Sequence, residues 1–281
     1  MNPAESPGLA APKFLHVNPK PRGTVAKLLV ALSLQVVTAG VSQGEPFAYI
    51  PAIGSDSVSI IDTATYVVEG TIAVGDQPIN IAMSSDGSRA YVVQSDPVGV
   101  SVVDTVTNSV ATTIPLSGEL DGVAVNPAGS RLYVVNRNPS SVIVVDIATE
   151  TVVTSIPVTA RFLIGIAVNP AGTRAYVTSA DSLNDIPSDT TVIDIESNTV
   201  VTTIAVGLES VGVAVHPSGR RVYVANRRSG TVSVVDAETN AVVATVPLGV
   251  FGAAGIAVNP QGTRLYVSNQ YADSVSVVDT I

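Results

Sequence analysis

One pattern recurs six times along this chain and constrains its fold more than any other feature. A Tyr returns as Tyr49, Tyr91, Tyr133, Tyr176, Tyr223 and Tyr266, and an Asp closes each copy as Asp62, Asp104, Asp146, Asp194, Asp236 and Asp279. The Tyr-to-Tyr spacings are 42, 42, 43, 47 and 43 residues. A fixed period of that length marks a stacked or radial repeat, in which one supersecondary unit buries its faces only against its neighbours.

The unit is plainest between Gly219 and Asp236, GRRVYVANRRSGTVSVVD. Two apolar, β-branched runs, Arg221 to Asn226 and Thr231 to Asp236, flank a short segment holding Ser229 and Gly230, which predicts a hairpin. If Asn226 opposes Thr231, Arg221 opposes Asp236. The same count sets Arg89 against Asp104, Arg131 against Asp146 and Arg264 against Asp279. Val211 to Val215 supplies a strand before the hairpin and Ala241 to Leu248 one after it, giving four strands, A to D, per copy. Runs this apolar imply cover on both faces, as between neighbouring blades. The expected fold is therefore all-β: a propeller of about six four-stranded antiparallel blades.

With 46% hydrophobic and 13% charged residues, the chain is too apolar for disorder and long enough for a large core. Aromatics make up only 4%, so packing must rest on Val, Ile, Ala and Thr, which suits strands. The absence of cysteine excludes disulfides, thiolate metal sites and thiol nucleophiles. The formal charge is −9, and four of the 14 basic residues precede residue 40, which leaves the repeats more acidic still. Such a surface repels phosphate backbones and anionic membranes, so nucleic-acid binding is not expected.

Residues 1–39 read as a Pro-rich extension followed by a leader. The apolar run at 25–37, VAKLLVALSLQVV, is led by Lys27 and followed by Thr38-Ala39-Gly40, like a secretory signal with cleavage after Ala39. It is too short for a comfortable transmembrane anchor. Residues 40–281 would then form the propeller, outside the cytoplasm. Strand counting gives a competing reading, since from Phe47 onward the first copy lacks its A strand and the last its D strand. Sliding the repeat back places 35–42 where an A strand belongs and 24–32 where a D strand belongs, so 24–42 would close the ring. The alternative to closure is an open blade edge, through which the chain could self-associate.

Strand A is short and carries Gly122, Gly165, Gly212 or Gly255, which permits close approach of backbones around an axis. The A–B turns (Asn126-Pro127-Ala128-Gly129 and its equivalents) and the C–D turns after each Asp share one rim and hardly vary, so that rim is architectural. The B–C and D–A loops share the other rim and do vary. They present Asp76, Gln77, Asp96, Glu119, Asp121, Arg137, Arg161, Phe162, Glu209, Arg227, Arg228, Phe251 and Tyr271 as candidate binding residues for a protein or small-molecule ligand.

Tyr133-Val134-Val135-Asn136, Tyr223-Val224-Ala225-Asn226 and Tyr266-Val267-Ser268-Asn269 bring out a resemblance to the YVTN-type β-propeller repeat proteins of bacterial and archaeal surfaces and periplasms. Three copies depart from that motif, with Ala52, Gln94 and Ser179 at the Asn position. The resemblance implies an exported propeller, commonly of seven blades, and related propellers include lactonases and subunits of redox enzymes. Fold alone licenses no activity.

No catalytic set can be named from the residues. Beyond the leader there is one histidine, His216, at the turn position held elsewhere by Asn126, Asn169 and Asn259. The A strands offer Asn80 and Asp121 but no cluster of carboxylates and imidazoles, so neither a cofactor nor a metal cage is expected. The copy at Tyr176 carries an insertion, SADSLNDIPSD, whose Asp181, Asp185 and Asp189 form a weak candidate metal loop without the Gly and terminal Glu of an EF-hand. The reading favoured here is a non-enzymatic binding module. The alternatives are a lactonase-like hydrolase or a propeller subunit of a redox enzyme.

Overall fold

The computed structural model describes residues 47–180 and 186–280; the leader, the closing strands assigned to 24–42, and Asp181 and Asp185 lie outside these residues. Within them the chain is an all-β, six-bladed propeller without helices. The first sheet holds β1 (Phe47–Ala52), β2 (Ser57–Asp62) and β3 (Val68–Ala73), in that order. The second holds β4 (Asn80–Met83), β5 (Arg89–Ser95), β6 (Val98–Asp104) and β7 (Ser109–Pro115). The third holds β8 (Leu120–Val125), β9 (Arg131–Arg137), β10 (Ser140–Asp146) and β11 (Thr151–Pro157). The fourth holds β12 (Leu163–Val168), β13 (Arg174–Ser179), β14 (Asp189–Asp194) and β15 (Thr199–Ala205). The fifth holds β16 (Ser210–Val215), β17 (Arg221–Asn226), β18 (Thr231–Asp236) and β19 (Ala241–Pro247). The sixth holds β20 (Ala253–Val258), β21 (Arg264–Asn269) and β22 (Ser274–Asp279). No helix of the described residues is long and apolar enough to cross a membrane.

Pairing is antiparallel throughout, and the middle hairpin has the expected register, with Asn226 opposite Thr231 and Arg221 opposite Asp236. Alternation along each strand then sends successive side chains to opposite blade faces. The repeat Tyr of one blade faces the next blade: Tyr91 packs with Val123, Leu132 and Val134, and Tyr133 with Ile166, Ala175 and Val177. Tyr91, Tyr133, Tyr176 and Tyr223 are at most 2% exposed. Each Val or Ile taken out of water in these layers contributes about 1.5–3 kcal/mol relative to exposure. Ala48, Ile50 and Ile61 form a smaller cluster on the first sheet, away from the layer it shares with the second.

One expectation needs correction, and one confirmed register carries a side-chain role that the sequence did not show. Cover on both faces holds for the middle strands but not for strand D, where Val152 and Val153 are 52% and 48% exposed and Val242 and Val243 are 37% and 57% exposed. The cause is a β-bulge repeated in the outer strands: Val144 pairs with Thr154 and Val145 with Val152, so Val153 is left over, and Val201 and Val243 are left over in the same way. A bulge twists an outer edge and spoils it as a template for a further strand.

The second concerns the repeat Asp. It lies opposite its Arg, yet its carboxylate mainly caps the C–D turn: Asp236 Oδ1 accepts from the Glu238 and Thr239 amides at 3.0 and 2.8 Å and from the Thr239 hydroxyl at 3.0 Å. Those amide bonds, first that of Thr239, hold its pKa below the ordinary carboxylate value, with Arg221 a lesser influence. A close ion pair joins Arg131 to Asp146. Arg221 instead directs Nη1 to the Thr280 carbonyl at 3.4 Å.

Candidate functional site

The inner strands β4, β8, β12, β16 and β20 pack on one another in sequence order, and their mouth ends carry the B–C and D–A loops. Each of the last four has a bulge at that end; in β8 it falls between Leu120, opposite Asn136, and Val123, opposite Val134. The bulged residues in β8 are Asp121 and Gly122. A bulge frees a side chain from the ladder's alternation and re-aims it.

At the position of Asp121 the sister strands hold Ile79, Ile164, Val211 and Ala254, all half-buried. Gly122, Gly165 and Gly212 lie so close to the next strand that an added Cβ would stand 2.2–2.4 Å from the carbonyls of Ile164, Val211 and Ala254. Blade 2 has Asn80 where those glycines stand, and its amide crosses to the next blade, donating from Nδ2 to Asp121 Oδ1 at 3.0 Å. Arg137, at the end of β9, donates from Nη1 to Asp121 Oδ2 at 3.5 Å. The Gly and apolar pair of the other blades is thus replaced by an Asn and Asp pair, with a guanidinium above it.

Asp121 is 7% exposed, and burial drives its pKa up to about 6 against the opposing pull of Arg137 and, to a lesser degree, Asn80. A carboxyl poised there exchanges a proton near neutral pH, as a general acid or base must, or presents either a donor or an acceptor to a ligand. It is the one carboxylate among the described residues whose pKa is resolved as raised.

The remaining candidate residues share this rim but form separate groups. Asp76 and Asp96 meet backbone to backbone, Asp76 N donating to Asp96 O at 2.7 Å, and Gln77 N donates to Asp56 Oδ1 at 2.9 Å. Glu119 lies within 3.5 Å of the Asn138 amide, beside Arg137. Arg227 Nε donates to Glu209 Oε2 at 2.9 Å, which fixes that guanidinium over blade 5. Phe251 and Tyr271 are 66% and 68% exposed on the adjoining loops of blade 6, with Arg228 exposed nearby on blade 5. Arg161 and Phe162 stand exposed on blade 4, and Phe162 has a φ of 50°. That left-handed backbone is uncommon for a bulky residue; Gln77, Glu209 and Gly252 take it at the matching place. Asp189 opens β14 opposite Ala205, and no metal-binding group of three or more His, Cys, Asp or Glu occurs among the described residues.

Sequence reasoning missed what the motif Asn does. Asn226 is fully buried; its Oδ1 accepts from the Gly207 amide at 3.2 Å, and its Nδ2 donates to Thr231 and Ser233 hydroxyls at 3.0 Å each. It therefore pins the D–A loop to the middle hairpin. Asn136 does the same through the Glu119 amide, and Gln94 serves in its place through the Gly75 amide. This explains the motif as architecture and leaves the Asn80 and Asp121 pair without an equivalent in other copies, whereas Arg137 has a counterpart in Arg227, which takes Glu209 instead.

Residues 128–265 match the sequence profile of the Cytochrome D1 heme domain. No curated protein sequence matches the chain. Among solved structures, Kuenenia stuttgartiensis Hydrazine Synthase has a chain with a TM-score of 0.62 and 19% identity, covering 83% of this chain and 92% of that one. That likeness is one of fold. The profile match overturns the expectation of a non-enzymatic binding module and favours its alternative, a propeller subunit of a redox enzyme.

A haem iron takes its protein ligand from imidazole, thiolate, thioether or phenolate. Apart from the Tyr271 phenol, the mouth residues just described offer carboxylates, amides and guanidinium groups instead. The Asn80, Asp121 and Arg137 group does not fit an axially ligated haem, and Tyr271 is the one residue of a ligand type among these mouth residues.

Proposed function

We propose that this chain is the propeller subunit of a redox enzyme, a YVTN-type repeat protein exported by the leader-like run at 25–37, with its variable rim facing the partner and the substrate. The observation that carries the reading is the Cytochrome D1 heme domain profile over 128–265. The mouth chemistry supports it: a carboxyl with a pKa of about 6 beside Arg137 is suited to passing a proton at a site where electrons are supplied from elsewhere.

The test is recovery of the full chain from its native host, followed by a reduced-minus-oxidised spectrum of the intact assembly. The expected result is a stoichiometric redox-active partner that dithionite reduces, with an intact mass placing the start of the propeller chain near Gly40. A chain recovered alone, with no redox-active group in any fraction that contains it, would refute the reading.

A further inference from the structure

The profile match spans a haem domain, and the one histidine among the described residues, His216, lies inside it. Its surroundings decide whether it could ligate iron. His216 follows β16 in the A–B turn of blade 5, on the rim opposite the Asp121 mouth. Sister turns use an Asn there: Asn126 Oδ1 accepts from the Ser130 and Arg131 amides at 2.9 and 3.0 Å, and Asn169 Oδ1 from the Thr173 and Arg174 amides at 2.8 and 3.0 Å.

His216 caps its turn differently, taking the amide two residues on, while the Arg220 amide turns to Ser218 Oγ at 3.4 Å. The Ser218 amide lies 3.0 Å from Nδ1. An amide can only donate, so Nδ1 is the acceptor and the proton of the neutral ring sits on Nε2. From there it donates to the Gly262 carbonyl, 3.0 Å away on the turn of blade 6. Both nitrogens are consumed, and a Cβ added at Gly262 would stand 2.3 Å from Nε2, so no opening faces that atom. Iron needs a free lone pair with a clear approach. The other soft donors are no better placed: the chain has no cysteine, and Met83 is packed against the apolar layer between blades 1 and 2.

We infer that His216 is a tie between the turns of blades 5 and 6, and that the described propeller keeps the blade scaffold of a haem domain without supplying an imidazole, thiolate or thioether ligand to iron. Where the redox reading above holds, any histidine, cysteine or methionine ligand of a haem in the assembly comes from outside the described residues.

Titrating the purified full chain with haemin tests this. The expected Soret spectrum is that of uncoordinated haemin, identical for wild type, His216→Asn and Tyr271→Phe. His216→Asn, which restores the sister residue, should melt within a few degrees of wild type, and His216→Gln provides a second variant should that one misfold. A saturable, stoichiometric spectrum of coordinated iron that His216→Asn abolishes overturns the inference. The two readings fail separately: haem coordinated by His216 sinks this inference and leaves the redox function standing, whereas a native assembly without redox activity does the reverse.

Discussion

Asp121 gives a pH dependence opposite in sign to that of the other perturbed carboxylates, and its size follows from the structure. Its pKa rises from 3.8 to about 6 on folding, because burial disfavours the charged form more than Arg137 and Asn80 favour it. A folded-state pKa above the unfolded one means that the folded protein binds the proton more tightly, so ionised Asp121 opposes folding and protonation relieves it. At about 1.4 kcal/mol per pKa unit, the penalty is about 3 kcal/mol at pH 7, about 1.6 kcal/mol at pH 5 and about 0.5 kcal/mol at pH 4. Asp86, Asp104 and Asp236 work the other way: turn hydrogen bonds depress their pKa values, so acid removes stability as it protonates them. The Asp121 effect must therefore be read against Asp121→Asn, which leaves those turns intact and still offers an oxygen to Asn80. Urea unfolding of both proteins from pH 4 to 7 should show the wild type gaining about 2 kcal/mol on the variant as pH falls. A constant difference across that range, or a gain in the opposite direction, refutes the argument.

Two further outcomes follow from the loops and the inner strands. Asn226→Ala removes an acceptor for the Gly207 amide and two donated hydrogen bonds at a fully buried site, and should cost about 2–4 kcal/mol; Asn269→Ala should cost about 1 kcal/mol less, because Asn269 Oδ1 has no partner to lose, and paired urea melts measure the difference. Gly212→Ala forces a Cβ to within 2.2 Å of the Ala254 carbonyl and should destabilise by at least about 1–3 kcal/mol, whereas Gly54→Ala meets nothing within 4 Å and should melt as wild type does.

The blade was legible in the sequence because its determinants are local. The strands Arg221–Asn226 and Thr231–Asp236 lie where alternation and the Ser229-Gly230 turn put them, and the Arg221 to Asp236 register follows by counting. What the carboxylate does there was not legible, since register fixes Cα positions and not where a side chain points; Asp236 turns to its own loop rather than across to Arg221. The site failed to show for a related reason. Asn80 and Asp121 stand out as polar residues in apolar strands, but 41 positions separate them, and only the packing of one inner strand on the next brings amide to carboxylate. The exposed Val pairs of strand D were missed because cover on both faces was inferred from apolar runs alone, and these run through an outer, bulged edge strand that no neighbouring blade covers.

A repeat chain supplies its own comparison, since each copy shows what the fold alone requires at a position. His216 differs from its sisters and replaces their capping bonds with others, from the Ser218 amide and to the Gly262 carbonyl, so its ring is satisfied within the scaffold and needs no functional account. Asp121 differs at a cost: Ile79, Ile164 and Val211 fill the same place without burying a charge. Phe162 holds a left-handed backbone, but Gln77 and Glu209 take it at the same place, so that strain belongs to the fold rather than to this copy. The costly departure at Asp121 lies on the variable rim, where a role other than stability accounts for it. The double substitution Asn80→Gly with Asp121→Ile puts the sister pair back and tests this directly. Relief of the buried charge should make it more stable than wild type by up to about 3 kcal/mol at pH 7, with Arg137 left to solvent at the exposed end of β9. The same protein should lose the activity of its native assembly. A variant less stable than wild type at pH 7 would show that Asn80 and Asp121 hold blades 2 and 3 together, and the case for a functional mouth would fall with it.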